Sequence, residues 1–196
     1  MSWHIDHTIQ PAQTGADSDL LLPDGEFSPP RFLMAGTTTL TSGELATIEF
    51  TAKRTEAITH LSMYSRGVAA GATPTLVRFG VFTVNADQSL TPLAVTANDT
   101  ALFAATYTPY KRALDVTWNK AAGTRYALGV LCVTGATAPQ VYSGTNWGYA
   151  ATVVHQVISL NPAVARSATG LSAWPTAPFT PTSPGQSLPC FRMHTS

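Results

Sequence analysis

Two segments of this chain, LVRFGVFTV at 76–84 and RYALGVLCV at 125–133, are apolar on both faces of an extended strand. Side chains alternate along such a strand, so Leu76, Phe82 and Val84 share one face of the first while Val77, Phe79 and Val81 share the other. In the second, Tyr126, Leu128, Val130 and Cys132 oppose Ala127, Gly129, Leu131 and Val133. Strands of this kind must be covered on both sides. A second sheet supplies one cover, and another copy of the chain is an expected source of the other. Tyr126, Leu128, Val130, Leu131 and Val133 are therefore the expected subunit interface. The pattern suits an assembly protein rather than an enzyme.

The surrounding sequence has the rhythm of short strands and turns. Strands are expected over 46–52, 57–65, 76–84, 90–96, 114–118, 125–133 and 149–158, divided by turn clusters at 66–74, 85–89 and 120–124. This spacing predicts an all-β chain, an antiparallel β-sandwich of jelly-roll type, over residues 36–158. Leu114, Val116 and Trp118 are expected to face its core, with Asp115 and Thr117 outward. Residues 98–105 read as a single helical turn capped by Asn98 or Asp99.

The flanks differ from this body. Residues 1–35 are rich in Asp and Pro, and their large apolar residues Trp3, Ile5, Ile9, Leu21, Phe27 and Phe32 are too irregularly spaced for an amphipathic helix. They read as an extended N-terminal docking arm with apolar anchors, the alternative being a leader that lies over its own domain. Residues 159–196 form a Pro-rich loop, carrying Pro162, Pro175, Pro178, Pro181, Pro184 and Pro189, followed by a closing strand over 187–194. Pro189 should confine that strand to an edge or place the proline at its start.

Charge narrows the partners. Charged residues make up 11% of the chain, against about 25% in an average globular domain, and the eleven basic and eleven acidic residues cancel. No electrostatic footprint for nucleic acid or an anionic membrane follows from such a balance. The N-terminus MSWHIDHTIQ lacks the pattern of a signal peptide, and no apolar run is long enough to cross a membrane. Synthesis and assembly in a cytoplasm are expected. Cys132 and Cys190 have no metal-binding spacing, and a buried inert thiol is the plainer reading of Cys132. A disulfide between them requires the last strand to lie beside 125–133.

No catalytic or metal-binding residues are assigned, and no cofactor is expected. His4, Asp6 and His7 lack further ligands at zinc spacing, and Asp17, Asp19 and Asp24 do not follow a calcium loop. There is no Gly-x-Ser-x-Gly elbow. Glu44, Glu49 and Glu56 could form a carboxylate pair, but Glu49 sits between Ile48 and Phe50 in an alternating strand, where a solvent-facing residue is expected. Tyr142, Asn146, Trp147 and Tyr149, with Trp174, form a candidate glycan contact, because flat rings match the C–H faces of sugars. The competing reading packs Trp147 into a small satellite core or an interface.

Residues 50–139 resemble a repeated β-sandwich module in minor tail proteins of long-tailed phages infecting actinobacteria. The likeness rests on FTAKRTEAITHLSMYSRGVAAGATPTLVRFGVFTV, LAVTANDTALFAA and AAGTRYALGVLCVTGATAP, in that order, and spans nearly half of the chain. Its strand motif Arg-x-Gly-x-Phe/Tyr is met by Arg78, Gly80 and Phe82, and its Gly-x-Arg-Tyr-Ala-x-Gly motif by Gly123, Arg125, Tyr126, Ala127 and Gly129. The resemblance implies a non-enzymatic virion component, a homotrimer on the distal tail or in a fibre, with contact to a host-surface glycan. Its partners would be itself and other virion proteins. A small sandwich with an arm also suits a capsid decoration protein that clamps major capsid subunits, and a free carbohydrate-binding module is a third reading.

Overall fold

The computed structural model describes residues 25–28, 36–71, 74–135, 137–144, 164–184 and 188–196. The described residues are all-β, without helices, and every strand pairing is antiparallel. In chain order the strands are β1 (Gly25–Ser28), β2 (Gly36–Thr39), β3 (Glu44–Thr51), β4 (Glu56–Tyr64), β5 (Leu76–Val84), β6 (Leu90–Val95) and β7 (Pro109–Lys120). They continue with β8 (Arg125–Val133), β9 (Gln140–Gly144), β10 (Val164–Ala168), β11 (Ser183–Pro184), β12 (Leu188–Pro189) and β13 (Phe191–His194). Three sheets result, ordered β1-β13-β4-β7, β11-β10-β3-β8-β5-β6 and β12-β9-β2.

The first two sheets share one hydrophobic core, giving a sandwich-like packing. From the six-stranded sheet come Ile48, Val77, Phe79, Val81, Tyr126, Leu128, Val130 and Cys132; Ile58, Leu61, Met63, Tyr110, Trp118, Phe191 and Met193 meet them from the four-stranded one. The alternation of β5 and β8 thus points Val77, Phe79 and Val81, with Tyr126, Leu128, Val130 and Cys132, into this core.

The opposite face of β5 and β8 is covered by the chain itself. Leu45, Phe82, Val84, Leu90, Ala127, Leu131 and Trp174 form a second buried cluster, flanked by Leu76, Val133, Leu171 and Phe179. A strap formed by residues 169–182 makes this cover. The Leu171 N–H donates to the Gly43 carbonyl, Phe179 exchanges both backbone hydrogen bonds with Leu90, and the Thr182 N–H returns to Ser167. Under the strap, Gly80 and Gly129 face each other across β5 and β8. A Cβ on Gly80 would collide with the Trp174 ring, which stacks on Phe82 with centroids 5.2 Å apart. The expected subunit interface is therefore corrected. Tyr126, Leu128 and Val130 are core residues, while Leu131 and Val133 pack beneath the chain's own C-terminal strap.

Other departures have local causes. Val116 is 53% exposed rather than core-facing. Ile58 pairs with Trp118 and His60 with Ala113, so residues 114–117 bulge out opposite Thr59. The bulge reaches β6 instead: Thr96 bridges Leu114, and Asp115 Oδ1 accepts the Val95 N–H at 2.9 Å. Residues 98–105 form turns rather than a helix, with Asn98 Oδ1 accepting the Val77 N–H. The expected strand 149–158 lies outside the described residues, whereas β2, β9 and β10 arise where no strand was anticipated. Pro189 obeys its rule, sitting in β12 at the edge of the small sheet, while β13 beyond it is interior to the four-stranded sheet.

Glu49 is also not solvent-facing, being 2% exposed. Arg125 Nη2 from β8 donates to its Oε2 at 2.8 Å, and Arg166 Nε from β10 donates to its Oε1. Arg166 also reaches the Gln88 carbonyl at 2.6 Å, linking this group to the β5–β6 turn. Removing one member of a buried charge group strands the others without compensation. Glu49→Gln is expected to lower stability by about 3 kcal/mol in urea denaturation. A change below about 0.5 kcal/mol would mean that the group does not hold β10 to β3.

Cys132 and Cys190 are both buried and are not joined to each other in a disulfide. Burial pushes the thiols up to about 11 and about 12 respectively. The thiolate is the reactive form, so both are expected to resist an aromatic disulfide reagent at pH 8 in the native protein and to label fully in denaturant. Rapid labelling of native protein would show that either site opens.

Candidate functional site

Where β4 ends, three chain segments are tied together by one buried serine. Ser65 Oγ donates to the Ala105 carbonyl at 2.7 Å and accepts the Thr108 N–H at 2.9 Å, while its own N–H donates to the Thr108 carbonyl. The next residue, Arg66, donates its N–H to the Gln140 carbonyl at the start of β9, and the Gln140 N–H returns to Val68. Ala70 N–H donates to the Phe103 carbonyl. Asp99 closes the β6–β7 loop from the other side. Burial alone would raise its carboxyl, but the Ala101 N–H and the Arg112 guanidinium outweigh that and hold it below its ordinary value.

This knot displays an aromatic and cationic cluster. The Arg66 guanidinium carbon lies 4.7 Å from the centroid of the Tyr142 ring and 5.4 Å from that of Tyr107. Arg66 Nη1 also donates to the Tyr142 hydroxyl at 2.9 Å. Tyr107 is 63% exposed and holds a left-handed backbone, φ 53°. A bulky residue at positive φ is costly and persists only where its surroundings impose it. Here the neighbouring Ser65–Thr108 bonds fix the chain immediately after it. Nearby in sequence, Tyr64 at the end of β4 is 40% exposed. Ring faces, phenolic hydroxyls and a guanidinium can stack on and hydrogen-bond a polyol.

Of the two anticipated glycan residues that are described, Tyr142 joins this cluster. Trp174 lies elsewhere, within the strap, stacked on Phe82 and 8% exposed. Asn146, Trp147 and Tyr149 lie outside the described residues. So do Trp3, Ile5, Ile9, Leu21 and Phe32 of the expected arm, together with His4, Asp6, His7, Asp17, Asp19 and Asp24. Phe27 falls in β1, which pairs with β13 of the same chain. Arg66 and Tyr107 were not anticipated. A Tyr two residues before Pro109 and an Arg-Gly turn are weak signals, and nothing local announces that they meet Tyr142.

Other chemical groups are tied into the framework. Ser62 Oγ lies 2.8 Å from His194 Nε2, but both are buried on the sheet. Glu56 pairs with Arg54 at 3.0 Å and with the buried Lys120 at 3.1 Å, so it and Glu49 are each neutralised by their own cations. Among the described residues no group of three His, Cys, Asp or Glu could hold a metal ion. A cleft of about 300 Å³ lies beside the β7 bulge, lined by Leu93, Val116, Trp118 and Tyr126 with Thr and Asn side chains. No helix among the described residues is long and apolar enough to cross a membrane. No protein-family model matches the chain, and no curated protein matches it.

Proposed function

We propose that this chain is a non-enzymatic structural protein of a bacteriophage virion, a tail-tip or fibre component that meets the host surface through Tyr107, Arg66 and Tyr142. The observation that carries the reading is an exposed tyrosine held at positive φ beside a guanidinium and a second tyrosine. Loops that carry contacts on a braced scaffold are a common arrangement for recognition. The likeness of residues 50–139 to tail-protein modules supports the same reading, as does a surface poor in charge. In finer detail, the body is a jelly-roll-like sandwich that assembles as a homotrimer, and the N-terminal segment docks onto other virion proteins. With β5 and β8 covered in cis, the subunit contact falls elsewhere, and exposed Leu93 and Val116 are its best candidates.

The test is immunogold labelling of particles whose genome encodes the chain, together with light scattering on the purified protein. Label at the distal tail and a trimeric mass are expected. Absence from the particle overturns the virion assignment, and a monomer overturns the trimer.

A further inference from the structure

Arg66 is a cation whose neighbours are aromatic rather than acidic. Elsewhere Arg54 and Lys120 are paired with Glu56, Arg112 with Asp99, and Arg125 and Arg166 with Glu49. Arg66 has no carboxylate within ion-pair distance among the described residues, and its side chain lies against two tyrosine rings. We infer that the cluster recognises an acidic polyol, a sugar or polyol chain bearing a carboxylate or a phosphate. This rests on the reading of the cluster as a surface-contact site and adds the charge class of its ligand.

The chemistry of the guanidinium drives the inference. It carries five N–H donors in a planar fork that matches two oxygens of a carboxylate or phosphate. One nitrogen is engaged by the Tyr142 hydroxyl, which fixes the plane and leaves the other donors for a ligand. The tyrosine rings hold the cation in place by attraction to their faces without neutralising it. Tyr107, exposed and fixed by its backbone, then supplies a stacking face for the C–H groups of the adjoining ring or chain. A neutral glycan would use the rings but leave the net charge of Arg66 without a counterpart.

The experiment is calorimetric titration of the whole chain with three probes of equal length: an oligoglucuronate, an oligo(glycerol phosphate) and a neutral oligoglucoside. At least one acidic probe is expected to bind, and the neutral one to bind at least about tenfold more weakly. Arg66→Gln should weaken the acidic probe about ten- to a hundredfold, with the melting temperature unchanged. Tyr107→Asn, a replacement that tolerates the left-handed backbone, should weaken it about tenfold. Whichever acidic probe binds identifies the anion as carboxylate or phosphate.

Equal affinity for the neutral probe, full affinity in Arg66→Gln, or failure of both acidic probes would overturn the inference. These outcomes separate from the functional reading. Neutral binding lost in Tyr107→Asn but kept in Arg66→Gln preserves glycan contact while removing the acidic class. Tail labelling with no binding by any probe preserves the virion assignment alone.

Discussion

Leu131→Lys is expected to unfold the protein, not to release a soluble folded monomer. Leu131 is fully buried and lies directly across from Arg78 in the β5–β8 register. A lysine there loses the leucine packing, worth about 2–5 kcal/mol, and buries an ammonium beside a guanidinium. An uncompensated buried charge costs several kcal/mol more. The sum approaches or exceeds the total stability of an ordinary domain, about 5–15 kcal/mol. Leu131→Asp should be milder, because Arg78 Nε is buried without an acceptor among the described residues and a carboxylate opposite can meet it. Circular dichroism and light scattering at equal concentration distinguish the cases. A folded, monomeric Leu131→Lys protein would mean that this face is a subunit interface after all. Val116→Lys is the companion variant: its exposed site should leave the chain folded, and loss of the trimeric mass would be its effect at the proposed subunit contact.

The contrast between Leu131 and Val116 shows what the residue pattern carries. The bounds of β5 and β8 follow from unbroken apolar runs closed by turn residues, and both were readable to the residue. That both faces need a cover was equally legible. Which segment supplies it was not, because residues 159–196 look like a solvated Pro-rich loop until Trp174 is seen above Gly80. Val116 was misplaced by a bulge, which shifts the phase of alternation without a local mark. Glu49 was misplaced because two arginines distant in sequence enclose it. The candidate site was the least legible part. Tyr142 stood out as one of a cluster of aromatic residues, but its partners Arg66 and Tyr107 reach it through the Ser65 knot, a tertiary event with no sequence period.

The strap makes the other large prediction, and it concerns a coupling rather than a single loss. Trp174→Ala should cost about 3–5 kcal/mol, as for other buried aromatic truncations, by emptying the space over Phe82. Gly80→Ala should cost about 2–3 kcal/mol or more, since its methyl would sit 2.8 Å from Trp174 Cη2 and 2.9 Å from the Ala94 carbonyl oxygen. In the double variant the first of these clashes vanishes, and the new methyl occupies part of the vacated volume. The second remains, because the Ala94 oxygen belongs to β6 backbone and moves only with the strand. The two changes should therefore fall short of additivity by about 1–2 kcal/mol, read from urea denaturation of the four proteins. Strict additivity would show that Trp174 does not lie on Gly80. The strap would then be no cover, and the outer face of β5 and β8 would again require a second molecule. Coupling of the expected size would instead give the Arg-x-Gly-x-Phe motif a physical meaning: Gly80 opens the seat, Phe82 forms its wall, and the chain's own C-terminal segment fills it.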